Sequence, residues 1–157
     1  MAIPTGEMVW GRPKPWKLDW ELRQGSKVVA KMSSPSMFGT TVRASIGDEH
    51  YVNRKGGLRR PGAAIARQGE PNDIGRLEFD SLDRGTVLLA DGATYRWERQ
   101  GPAGTWAMLR DDGDVLFTVH RNARDKYPVG RVKVMAADRS MGVLLILSWF
   151  VINSTEC

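Results

Sequence analysis

The residues best suited to chemistry in this chain are basic, and they cluster. Arg54-Lys55-Gly56-Gly57-Leu58-Arg59-Arg60-Pro61 sets four cations into a short stretch punctuated by two glycines. Guanidinium and ammonium groups on such a loop attract phosphate, whether carried by a lipid or by nucleic acid. Arg54, Lys55, Arg59 and Arg60 are therefore the candidate contacts for an anionic ligand, and the same run also suits a merely solvated loop. The wider charge distribution points the same way. The net charge is +5, and residues 1–75 carry all of it, with 12 Lys and Arg against 7 Asp and Glu.

Other chemistry is sparse. His50 and His120 are the only histidines, far apart in sequence, and a general base needs a positioned partner. Asp111-Asp112-Gly113-Asp114 superficially suggests calcium, but a calcium loop closes on a glutamate, and Val119-His120-Arg121 stands in that region instead. A hairpin turn accounts for the run better. The single cysteine, Cys157, excludes an intrachain disulfide framework and a thiolate zinc site. Nucleophile elbows, Walker loops and dinucleotide fingerprints are absent. The expectation is a protein with no catalytic residues, no metal and no cofactor. Six tryptophans remain to be placed. Trp97, Trp106 and Trp149 read as core, because aromatics dominate β cores. Trp10 and Trp16, beside Lys14 and Lys17, read as the exposed ones, and a Trp-plus-Lys segment suits a membrane surface.

The elements that must position these residues announce themselves from the far end. Met141 to Ile152 is an uncharged run, apolar in every direction. A helix of that length reaches roughly 18 Å, well short of the about 30 Å hydrocarbon core of a bilayer. A buried helix, a C-terminal membrane anchor and a buried strand are the three readings, and length favours the first. Asp138 or Ser140 suits its N-cap.

Before that run the chain alternates with period two. Trp16 to Arg23, Lys27 to Met32, Phe38 to Ile46, His50 to Val52, Ala63 to Arg67, Ile74 to Asp80, Thr86 to Ala90, Ala93 to Glu98, Thr105 to Arg110, Val115 to Val119 and Tyr127 to Ala136 read as about eleven strands. Asp91-Gly92 and Asp112-Gly113 suit tight hairpin turns. Short, evenly spaced strands indicate a sandwich or a closed barrel. A wide barrel leaves a lumen, and a helix with no polar face would fill it.

In this pattern the chain resembles the tubby-C-terminal-domain-like superfamily, which includes tubby proteins, phospholipid scramblases and LURP-one-related proteins. The residues that carry the resemblance are Leu89-Ala90-Asp91-Gly92-Ala93-Thr94-Tyr95-Arg96-Trp97, Trp106 with Leu109-Arg110-Asp111-Asp112-Gly113-Asp114, Gly130-Arg131-Val132-Lys133-Val134, and the run Leu144 to Ile152. It is most similar to the small bacterial members. The resemblance implies a mainly β fold, a closed antiparallel barrel of about 12 strands around a buried hydrophobic C-terminal helix. The strand missing from the count of about eleven is expected between residues 54 and 75. Tubby proteins bind phosphoinositide headgroups through surface lysine and arginine; no such residue is carried over onto this chain.

The expected organisation is an N-terminal extension over residues 1–15 and a single barrel domain over 16–157, its central helix at about 139–153. The expected function is non-enzymatic: binding of an anionic ligand such as a phospholipid headgroup or another phosphorylated molecule, or service as an interaction module. A nucleic-acid-binding barrel and a tail-anchored, membrane-associated protein are the alternatives. No signal peptide is visible at the start. The expected setting is cytoplasmic, peripheral at a membrane, with no transmembrane span.

Overall fold

The period-two alternation resolves into twelve antiparallel strands and one helix. A computed structural model of the chain describes residues 3–14, 19–33, 41–55, 62–101, 104–121 and 129–155. The strands are β1 (Gly6–Gly11), β2 (Asp19–Gln24), β3 (Lys27–Ser33), β4 (Thr41–Ile46), β5 (Glu49–Lys55) and β6 (Gly62–Arg67). They continue as β7 (Asp73–Ser81), β8 (Arg84–Leu89), β9 (Thr94–Arg99), β10 (Thr105–Arg110), β11 (Val115–Arg121) and β12 (Gly130–Val134), followed by α1 (Met141–Thr155). Each strand pairs with its neighbours in sequence, and β1 closes the cylinder against β12. The helix begins and ends two residues later than its expected bounds, and the fold is the closed barrel that the alternation and the resemblance implied.

Closure corrects the expected domain organisation. The expected extension over residues 1–15 contains a strand of the barrel: Gly6 to Trp10 pair with β12, and Val9 to Gly11 pair with β2. This is the twelfth strand, and it lies at the start of the chain, not between residues 54 and 75, where the described residues add no strand to the expected ones. The segment escapes sequence reading because Met8 and Trp10 are its only inward residues, too few to establish a period. Its geometry also overturns the expectation for Trp10, which is fully buried, not exposed beside Lys14. Trp16 lies outside the described residues. Trp97, Trp106 and Trp149 are core, as expected.

The lumen is filled asymmetrically, and residue size explains how. Leu144, Leu145, Ile146 and Leu147 of α1 are all fully buried, so the helix is enclosed on every side. It packs most closely on the wall of β3 to β6. The inward positions there include Ala30, Ala44 and Ala63, whose small side chains let backbones approach. The opposite wall carries Trp97, Trp106, Met108 and Phe117, which fill the wider gap. Trp97 and Trp106 stack at 5.2 Å with 3° between their planes, and Phe79 meets Trp106 edge-on at 6.0 Å. The helix spans about 22 Å at 1.5 Å per residue, close to the length of six- and seven-residue strands at about 3.3 Å per residue. Plug and barrel are thus matched in height. No helix of the described residues is long and apolar enough to cross a membrane.

The hairpins of the second half carry the turn chemistry expected of them. Between β8 and β9, Gly92 adopts φ +93°, a conformation that costs glycine least. Asp91 Oδ1 accepts from the Ala93 amide at 2.9 Å. Asp111 to Asp114 form the β10–β11 turn, where Asp112 Oδ1 accepts from the Asp114 amide at 3.0 Å and Asp111 accepts from the Thr94 hydroxyl. These carboxylates hold turns together, as the hairpin reading requires.

Candidate functional site

Strand alternation sends the expected basic cluster in two directions. Arg54 lies across from Ala64, while Lys55 lies across from Ala63, a buried position facing the lumen. Adjacent residues on a strand face opposite sides, so these two cations do not share a surface. Arg54 is also occupied: its guanidinium donates to Asp73 Oδ1 at 2.5 Å, and Arg76 approaches the other oxygen at 4.0 Å. Lys55 is exposed at the end of β5. Arg59 and Arg60 lie outside the described residues. The two histidines sit on separate strands, His50 on β5 and His120 on β11. His120 Nδ1 is hydrogen-bonded to the Thr105 hydroxyl at 2.7 Å.

A different group of cations converges on the outer face of β2 to β5. An open groove of about 430 Å³ crosses these strands, bordered by Asp19, Glu21, Lys31, Arg43, Ser45 and His50. The register explains the gathering. Ser45 on β4 stands directly across from Lys31 on β3 and from His50 on β5. Arg43 shares the face of Ser45 two residues earlier, with Ser33 of β3 across from it. Directly opposed residues lie about 4.5–5.5 Å apart, and diagonal ones about 7–8 Å. Lys31, Arg43 and His50 thus ring one hydroxyl at distances their side chains can span. Lys31 and Arg43 are exposed, and no ion pair engages either among the described residues. A tetrahedral oxyanion above Ser45 would meet two permanent cations, an imidazole and two hydroxyls, which is the donor set that charge-assisted hydrogen bonding favours.

The β2 edge of the same groove has the opposite sign. Asp19 stands across from Ser33, and Glu21 across from Lys31. Glu21 is engaged by its neighbour, since Arg23 Nε and Nη2 donate to Glu21 Oε2 at 2.9 and 2.5 Å. Asp19 is partly buried. On the β5 side, the Gln68 amide donates to the His50 carbonyl at 2.9 Å and fixes the far edge.

A second recess, of about 300 Å³, lies where the helix enters the barrel, between Ile3, Ile46, Glu49, Tyr51, Arg139 and Gly142. Its polar groups satisfy each other. The Tyr51 hydroxyl donates to Glu49 Oε2 at 2.6 Å, and the Arg67 guanidinium lies 5.8 Å from the Tyr51 ring centre. Burial, then the Glu49 carboxylate, pushes the Tyr51 phenol up to about 12. The same hydrogen bond holds the Glu49 carboxyl below its usual range. Tyr95 is likewise raised, chiefly by burial, and its hydroxyl donates to Asp138 Oδ1 at 3.1 Å. Matched pairs of this kind latch the barrel end.

Lys31, Arg43 and Ser45 are therefore the site residues that sequence reading missed. Each is an isolated charge or hydroxyl along the chain; only the register of β3 and β4 brings them together. The outward phase of Lys31 and Arg43 was legible from the alternation, but the offset between the two strands was not. Among the described residues, no group of three or more His, Cys, Asp or Glu could hold a metal ion. No family model, curated protein or solved structure matches the chain.

Proposed function

We propose that this protein is a non-enzymatic barrel, resembling the tubby-like superfamily, that binds an anionic phosphorylated ligand on its outer face. The observation that carries the reading is the ring of Lys31, Arg43 and His50 around Ser45, in a groove that crosses four strands. The resemblance supports it, since tubby proteins bind phosphoinositide headgroups with surface lysine and arginine. So does the charge excess of the first half of the chain. Arg54, engaged with Asp73, takes no part. The ligand class is a phospholipid headgroup or a free phosphorylated molecule. The matching location is the cytoplasm, peripheral at a membrane surface.

Co-sedimentation with vesicles at two salt concentrations tests this reading. Binding to anionic vesicles should exceed binding to neutral ones and weaken as salt screens the charges. Lys31→Ala and Arg43→Ala should each weaken it roughly tenfold, the worth of one charge-assisted hydrogen bond, while Arg54→Ala leaves it unchanged. Equal partitioning onto neutral and anionic vesicles, unaffected by these substitutions, would sink the proposal.

A further inference from the structure

The groove is polarised, and its polarity selects among phosphorylated ligands. Its cations, Lys31 and Arg43, and the His50 imidazole lie over β3 to β5. Its carboxylates lie over β2, as Asp19 and Glu21. Glu21 already holds Arg23, and no ion pair engages Asp19 among the described residues. Asp19 and Lys31 sit on adjacent strands, Asp19 across from Ser33 and Lys31 across from Glu21.

A plain anion fits such a groove incompletely. It gains Lys31 and Arg43, and it is repelled by a partly buried carboxylate on β2, at the other edge of the groove. A plain cation meets the reverse problem. A ligand carrying both charges satisfies both edges, provided that it spans the two strand spacings between Ser45 on β4 and Asp19 on β2, about 9–10 Å; with a charge-assisted hydrogen bond of about 2.8 Å at each end, the ligand's own charges then stand about 4–5 Å apart. A two-carbon spacer between a phosphate and an ammonium group provides a span of that order. Polar sites gain specificity in this way, because the group that pairs with the right ligand is left uncompensated by the wrong one.

Resting on the anion-binding reading above, we infer that the groove takes a zwitterionic phosphate ester of an amino alcohol. Its phosphate lies against Lys31, Arg43, His50 and the Ser45 hydroxyl. Its ammonium lies against the Asp19 carboxylate. The chemistry is shared by a free amino-alcohol phosphate and by a phospholipid headgroup of the same kind. No bond is made or broken; the site recognises charge at two points.

Isothermal titration of the full chain with two soluble probes tests the inference. One is O-phosphoethanolamine. The other is 2-hydroxyethyl phosphate, which has the same phosphate and spacer with a neutral hydroxyl in place of the ammonium. O-phosphoethanolamine should bind about tenfold tighter, the scale of one charge-assisted contact. Asp19→Asn should bring O-phosphoethanolamine down to the level of 2-hydroxyethyl phosphate, and leave 2-hydroxyethyl phosphate equal or slightly tighter. Lys31→Ala should weaken both probes alike. An unchanged melting temperature in each variant certifies the fold.

Equal affinity of the unaltered protein for the two probes overturns the inference and leaves the plain anion reading standing. So does a preference that survives Asp19→Asn. Failure of both probes and of anionic vesicles overturns both. Vesicles containing phosphatidylethanolamine separate the sources. Binding to them that Asp19→Asn weakens about tenfold supports the inference with a lipid ligand, and soluble binding without vesicle binding supports it with a free one.

Discussion

Trp10 of β1 and Trp149 of α1 lie face to face, their ring centres 5.7 Å apart and their planes 3° from parallel. This contact joins the first strand of the chain to its last helix. Trp20 of β2 completes the group, meeting Trp149 edge-on at 5.1 Å. Parallel offset stacking and edge-to-face contact are the two arrangements the aromatic quadrupole favours. The barrel seam and its plug are therefore locked by one cluster, formed between segments that are distant in sequence.

Trp10→Ala should remove about 3–5 kcal/mol of stability, the usual cost of emptying a buried aromatic site. Trp10→Phe should cost less than half as much, because a ring still fills the space against Trp149. Urea unfolding measured by circular dichroism reads both. A Trp10→Ala variant as stable as the parent would show that β1 does not close the barrel in solution.

Gly130 of β12 faces the same cluster. A Cβ there would lie 2.2 Å from Trp149 Cζ3 and 2.6 Å from Cη2. The indole is held by Trp10 on one side and Trp20 on another, so it has no direction in which to yield. Gly130→Ala should destabilise by at least the roughly 1–3 kcal/mol typical of overpacking. Trp149→Phe removes the two clashing atoms. In the double variant the penalty of Gly130→Ala should shrink, giving a non-additive cycle. Additive losses would mean that the strain lies elsewhere.

Asp138 precedes the helix and gathers three elements. Its Oδ1 accepts from the Ser140 amide at 2.8 Å and from the Tyr95 hydroxyl at 3.1 Å. Its Oδ2 lies 3.5 Å from Arg110 Nε, and Arg110 also donates to the Ala137 carbonyl at 2.6 Å. The first helical bond then runs from the Leu144 amide to the Ser140 carbonyl. Asp138→Ala should cost about 3 kcal/mol, because it strips a largely buried carboxylate from partners that stay behind. Asp138→Asn keeps an oxygen for Ser140 and Tyr95 and should cost less. Thermal melting of the pair checks the order; equal losses would mean that charge alone matters at this position.

The parts of the molecule legible in the sequence are those whose cause is local. The helix could be read from Val143 to Leu147, which leave no polar face. The later hairpins could be read from Asp91-Gly92 and Asp112-Gly113, since turn geometry depends on those residues alone. Closure by β1 could not, because pairing with β12 joins residues more than a hundred positions apart. The groove on β2 to β5 could not be read for the same reason. Density along the chain singled out Arg54 to Arg60, and Arg54 is paired with Asp73, 19 residues later. The polar cluster of the groove is instead assembled across the sheet, through Lys31, Ser45 and His50 on three strands. Sequence shows which residues point outward; only register shows which of them meet.

The barrel end that receives the helix should loosen in alkali. Tyr51 is almost wholly buried, and its phenol is raised from its ordinary 10.0 to about 12 in the folded protein. The unfolded chain has no such environment and releases the proton near the ordinary value. Between these two points the folded state holds one more proton than the unfolded state, so stability falls as pH rises. Below pH 10 both states keep the proton and the contribution is complete. The slope is at most about 1.4 kcal/mol per pH unit for a single group. Tyr95, also raised by burial, acts in the same direction. Tyr51→Phe removes the titrating hydroxyl together with its bond to Glu49. Urea midpoints between pH 9 and pH 12 should therefore fall more steeply in the parent than in Tyr51→Phe, with parallel curves contradicting the assignment to Tyr51.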